Sequence, residues 1–102
     1  RFLDLWHELL DRTNLSAGCA VLAVTVAAGD DELRDHAGAI FRTWTERLAD
    51  LFVAGGMKKP AAREFAATVV SATEGAVVLS RAQQTREPFA QVSATLIRLA
   101  KR

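Results

Sequence analysis

One cysteine, two prolines and no tyrosine mark a chain of 102 residues. With Cys19 alone no disulfide can close within the chain, and thiolate zinc clusters and CxxC redox chemistry are excluded. That usage fits a reducing, cytoplasmic setting. The scarcity of proline, the missing tyrosine and 19 alanines favour helices over sheets. Glycine-rich phosphate loops are also lacking: Gly55-Gly56 leads into Met57-Lys58-Lys59 without the spacing of either nucleotide fingerprint, so no cofactor is expected. The longest uncharged apolar run, Ala17 to Ala28, falls short of the roughly 20 residues a membrane-spanning helix needs. No excess of one charge is present either, with 13 Lys and Arg against 12 Asp and Glu. The halves differ modestly, 5 basic and 9 acidic residues in 1–50 against 8 and 3 in 51–102. The basic residues form no stripe of the kind duplex DNA binding requires, apart from small groups at Lys58, Lys59, Arg63 and at Arg98, Lys101, Arg102.

Half of the residues are hydrophobic, enough for one core, since a domain of this size buries roughly two-thirds of its unfolded surface. Their spacing is helical. Phe2, Leu3, Leu5, Trp6, Leu9 and Leu10 predict a helix over 1–12, stopped by Thr13-Asn14. It begins without a capping residue, as a piece of a longer chain would. Ser16 can cap a second short helix through Ala28, ended by Gly29. Val21, Val24, Thr25 and Val26 would suit a strand as well, but no other segment offers a strand to pair with it. Asp30 or Asp31 opens a third helix carrying Leu33, Ala37, Ile40, Phe41, Trp44, Leu48, Leu51 and Phe52, which Gly55-Gly56 ends. Pro60 lies in the first turn of a fourth, running to about Gln84. Glu87-Pro88 opens a fifth, with Phe89, Val92, Leu96 and Leu99 on one face. The expected fold is an all-α, five-helix bundle forming a single domain over 1–102.

The fourth helix is apolar nearly all round. Phe65, Val69, Ala72, Ala76 and Leu79 form one face, Val70, Thr73 and Val77 a second, and Ser71, Gly75, Val78 and Ala82 a third. Five helices of this size hardly cover it on every side, and a second subunit is the simplest cover. Ser71, Gly75, Val78 and Ala82, with Ser93, Ile97 and Ala100 of the fifth helix, are therefore the expected homodimer interface. Gly75 is costly in a helix interior, a cost that makes sense if another backbone approaches closely there.

Catalytic chemistry is not found. His7 and His36 lie on different helices without a nucleophile, and Cys19 has no base beside it, so Cys19 reads as a buried structural thiol and the chain as no enzyme. Glu32 and His36 stand four apart, a chelating spacing beside Asp31 and Asp35. Acids in a first helical turn already answer the helix dipole, and no metal site is expected. Glu74 is the conspicuous charge, set in an apolar run where a lone carboxylate is costly. Arg81, a basic group of a second subunit, or a ligand would each partner it.

The order of these elements is familiar: Ala17-Gly18-Cys19 opening a short apolar helix, a long helix with Phe41 and Trp44, then Thr73-Glu74-Gly75-Ala76 with Leu79-Ser80-Arg81-Ala82, then Glu87-Pro88. It resembles the C-terminal domain of TetR-family transcriptional regulators, in particular the LmrA/YxaF-like branch. Ala20 departs from it, standing where relatives often carry Pro or Leu. The resemblance implies a regulatory domain that binds a small-molecule effector, pairs through its last two long helices, and releases operator DNA held by an N-terminal helix-turn-helix unit, a repressor by expectation. No segment offers that unit, so operator DNA is expected to be met only through a domain outside this chain. The expected effector wall is Cys19 and Leu22, Phe41, Trp44 and Leu48, and Phe65, Val69 and Thr73, suited to a small apolar or aromatic and neutral ligand; a cationic one would need Glu74 to point inward. The rival expectation is a helical dimerisation or protein-interaction domain without a ligand.

Overall fold

The computed structural model describes residues 31–101. The helices expected over 1–12 and 16–28, with Cys19, Leu22 and the Asp30 cap, lie outside the described residues. Every element within them is helical: α1 (Asp31–Ala54), α2 (Lys59–Gln83) and α3 (Glu87–Ala100). These are the third, fourth and fifth helices of the sequence reading.

Local chemistry sets their ends. Gly56 adopts φ 109°, a conformation that side chains disfavour. Its amide donates to the Val53 carbonyl and that of Met57 to the Phe52 carbonyl, the paired bonds of a Schellman stop. Pro60 sits in the first turn of α2, where a missing N–H costs nothing. The same stop ends α2 without a glycine: Gln84 takes the left-handed conformation at φ 54°, and Thr85 N–H donates to the Ser80 carbonyl at 3.1 Å. The Gln84 side chain adds a bond from Nε2 to the Arg81 carbonyl.

Helix α2 packs against both α1 and α3. One apolar cluster joins Leu48 and Ala49 of α1, Ala66, Val69 and Val70 of α2 and Leu96 of α3, with Phe41, Phe52, Phe65 and Val92 against it. Phe52 and Phe65 meet at 4.9 Å between ring centroids and clasp α1 to α2 near their turn. Among the described residues, Phe89, Val77, Thr73 and Ser80 are the largest side chains fully withdrawn from solvent, and Phe89 N–H donates to Ser80 Oγ. Leu33, Leu51, Leu79 and Leu99, expected on apolar faces, are instead exposed. Buried positions on α1 and α2 are taken instead by smaller residues, Ala37, Ala62, Ala66 and Ala76 among them.

Candidate functional site

Of the expected effector wall, Phe41, Leu48, Phe65 and Val69 come together, as members of the packed core cluster between α1 and α2. Leu48 and Val69 are buried, while Phe41, Trp44 and Phe65 are half-buried. Trp44 stands edge-on to Phe41, one turn back on α1, with centroids 5.5 Å apart and planes at 90°. Thr73 is buried, but its hydroxyl donates back to the Val69 and Val70 carbonyls at 2.9 and 3.1 Å, so it is already satisfied by its own helix.

The open space lies beside this cluster. A groove of about 650 Å³ runs along α1 to the start of α2, lined by Gly38, Phe41, Arg42, Thr45, Glu46, Ala49, Asp50, Val53, Lys59 and Arg63. Phe41 is the one expected wall residue among them. Its lining mixes both charge signs over an apolar floor, a pattern absent from the sequence reading because its residues come from the polar edges of two helices. A shallower hollow of about 260 Å³ is framed by His36, Ala39, Ile40, Thr43 and Trp44. Among the described residues no group of three His, Cys, Asp or Glu side chains could hold a metal ion, and no helix is long and apolar enough to cross a membrane. Arg34 pairs with Asp31 at 2.8 Å on the exposed first turn.

Six of the seven expected interface residues, Ser71, Gly75, Val78 and Ala82 of α2 with Ile97 and Ala100 of α3, are exposed, and Ser93 is buried within the chain. A Cβ at Gly75 would meet nothing within 4 Å. A shallow depression of about 450 Å³ lies over Ala67, Thr68, Ser71 and Ala72 on the same side of α2. From Phe65 through Ser80 the sole charged residue of α2 is Glu74, and α3 has none from Pro88 through Ile97. Glu74 is buried; its Oε2 has no hydrogen-bond partner, and desolvation pushes its carboxyl up to about 7. Arg81, one of the expected partners, leaves that oxygen unmatched. Ser80, quoted above only as part of the Leu79-Ser80-Arg81-Ala82 run, is fully buried as the acceptor for Phe89. Its position on the buried line Thr73-Val77-Ser80 was the available clue.

Residues 1–95 match the family described as transcriptional regulator LmrA/YxaF-like, C-terminal domain. The chain belongs to that family. It is therefore a C-terminal domain of a TetR-type transcriptional regulator, a family of regulators rather than of enzymes. Its curated relatives include the uncharacterized HTH-type transcriptional regulators Rv0196 and MT0206, from Mycobacterium tuberculosis strains H37Rv and CDC 1551 / Oshkosh. Each is 33% identical over 94 residues, covering 85% of this chain and 48% of the relative. The chain thus spans about half the length of the curated relatives it matches. No solved structure matches it. TetR-type regulators generally act as dimers that bind operator DNA and effectors, and the exposed, nearly charge-free sides of α2 and α3 stand in this domain.

Proposed function

We propose that this TetR-type domain is the effector-binding and dimerisation unit of a cytoplasmic transcriptional repressor. In this reading residues 1–102 form one helical domain, and segments 1–12 and 16–28 add two helices that complete a five-helix bundle. The helix-turn-helix unit that reads operator DNA belongs to the part of the regulator outside this chain. An effector that binds one arrangement of the dimer better than the other shifts the population away from the DNA-binding form.

The observation that carries the reading is the exposed side of α2 and α3, which runs for several turns without charge around Gly75, Val78 and Ile97. Water-facing helices ordinarily carry charges, and interface cores are depleted of them. A homodimer through these two helices covers that surface. For the effector, the half-buried pair Phe41 and Trp44 supports a small, neutral, apolar or aromatic ligand held by Cys19, Leu22, Phe41, Trp44, Leu48, Phe65, Val69 and Thr73. Binding there requires the cluster of Phe41, Leu48, Phe65 and Val69 to part. That packing, with the Thr73 hydroxyl already satisfied, favours a second reading: a helical dimerisation domain without a ligand. Screening aromatic compounds by thermal shift and tryptophan fluorescence separates the two. Binders that weaken in Trp44→Ala support the effector reading, and a screen without binders supports the second.

A further inference from the structure

The groove along α1 draws side chains of opposite sign from two helices. Glu46 and Asp50 come from α1, Lys59 and Arg63 from the start of α2, and Arg42 stands one turn before Glu46. Residues four apart share a side of a helix, so each set forms a short row along its own edge of the opening. All five are exposed. Side chains of opposite sign around one opening ordinarily close on each other, yet among the described residues none of the five pairs with another. Arg34 and Asp31, at the far end of α1, do pair. Arg42 lies back along its helix, with Nη1 4.0 Å from where a Cβ on Gly38 would stand, and so away from Glu46.

Between these rows the described lining is apolar or small, with Phe41, Ala49 and Val53 beside Gly38 and Thr45. Ala49 is buried and Phe41 half-buried, while Val53 is exposed. The groove thus offers an acidic edge, a basic edge and an apolar floor, all open to solvent.

We infer that this groove binds a small zwitterion with an apolar body, of the size and kind of a dipeptide with free ends: its ammonium meets Glu46 and Asp50, its carboxylate meets Lys59 and Arg63, and its side chains rest on Phe41 and Val53. Charge complementarity selects this class. A simple organic anion would gain from Lys59 and Arg63 but bring its charge beside Glu46 and Asp50, and a simple cation would meet the reverse conflict. A wholly apolar ligand would take water from both edges and return no bond to them. A ligand with one charge of each sign gives both edges a charge-assisted hydrogen bond. Size agrees as well. Two extended residues span about 7 Å, a reach that bridges edges which do not pair directly. The volume of about 650 Å³ lies within the range of small-molecule sites. This site shares only Phe41 with the effector wall proposed above, needs no parting of the core and does not depend on the dimer.

The test is calorimetric titration of the full chain with the dipeptides Leu-Leu and Leu-Phe, beside N-acetyl-Leu-Leu and Leu-Leu amide, with amide chemical shifts to locate the contact. The free dipeptides are expected to bind with Kd of about 1 mM or tighter and to shift residues 38–53 and 59–63. Each blocked form is expected to bind about fivefold more weakly or worse, having lost one charge. Glu46→Gln with Asp50→Asn should erase the difference between the free and N-acetyl forms, and Lys59→Gln with Arg63→Gln the difference between the free and amide forms. These positions are exposed, circular dichroism verifies each fold, and the blocked ligands decide the matter on the parent chain alone. Equal binding of the free and N-acetyl forms, lost in the amide, assigns the groove to organic anions and overturns the inference. Neither heat nor shifts from the free dipeptides up to about 5 mM overturn it too, and leave the proposed effector wall untouched. Shifts centred on Val69 and Thr73 instead place the ligand in the core, overturning the groove site and supporting that wall.

Discussion

Phe89 donates its backbone N–H to the hydroxyl of Ser80, 3.1 Å away and nine residues earlier in the chain. Arg86 at the start of α3 offers no side-chain cap, so Ser80, buried at the end of α2, satisfies an amide in the first turn of the next helix. The bond fixes where α3 begins against α2 and so how their exposed sides align. Ser80→Ala is expected to cost about 1–2 kcal/mol, with the fold retained. Chemical denaturation checks this, and an unchanged midpoint would contradict it.

Gly75 has open space where a side chain would start. Gly75→Ala should therefore stabilise the folded chain by about 0.5–1 kcal/mol through helix propensity alone. The value applies to the chain at dilutions where it is monomeric, measured by thermal melting, and a loss of stability there would mean an unrecognised internal contact.

Gln84 holds a left-handed conformation that glycine adopts without a Cβ penalty. Gln84→Gly removes that penalty and also the Nε2 bond to the Arg81 carbonyl. The net gain expected is about 0.5 kcal/mol, less than the penalty alone. A melt in which Gln84→Gly falls below the parent chain would show that the side-chain bond dominates.

Glu74 makes stability depend on pH with a definite sign. Its carboxyl is raised in the folded chain from 4.5 to about 7 by desolvation, so the folded state binds the proton more tightly than the unfolded state. Its stabilising influence is complete below pH about 4.5 and is lost as pH rises through about 7. The span corresponds to a loss on the order of 3 kcal/mol. Urea denaturation from pH 4 to pH 8 should show the decline, and Glu74→Gln should abolish it. Equal declines in both would place the titrating group elsewhere.

Much of the fold was legible from the residues. Pro60, Gly55-Gly56 and Glu87-Pro88 announce their turns because those residues restrict or free the backbone locally, and the helices begin and end beside them. Side-chain fate was less legible. Ser93 shares a helix face with Ile97 and Ala100 in the sequence, yet it is buried where they are exposed, because burial at a boundary position depends on how α3 rolls against α2. Thr73 read as a spare hydroxyl, and only its rotamer, bonding back to Val69 and Val70, removes it from the site. The groove over Phe41 was invisible to periodicity, since Arg42, Asp50, Lys59 and Arg63 look like solvated surface until two helices bring them to one opening.

Sedimentation equilibrium of the chain at micromolar concentration, beside Gly75→Leu and Ile97→Glu, tests most directly the claim that α2 and α3 pair two copies. Both substitutions fall on exposed positions, so the monomer fold is expected to survive, as circular dichroism will verify. The account predicts a dimer for the parent chain and monomers for both variants, since one fills the space at Gly75 and the other buries a charge in the contact. A monomeric parent, or dimers that persist unchanged in both variants, would contradict it.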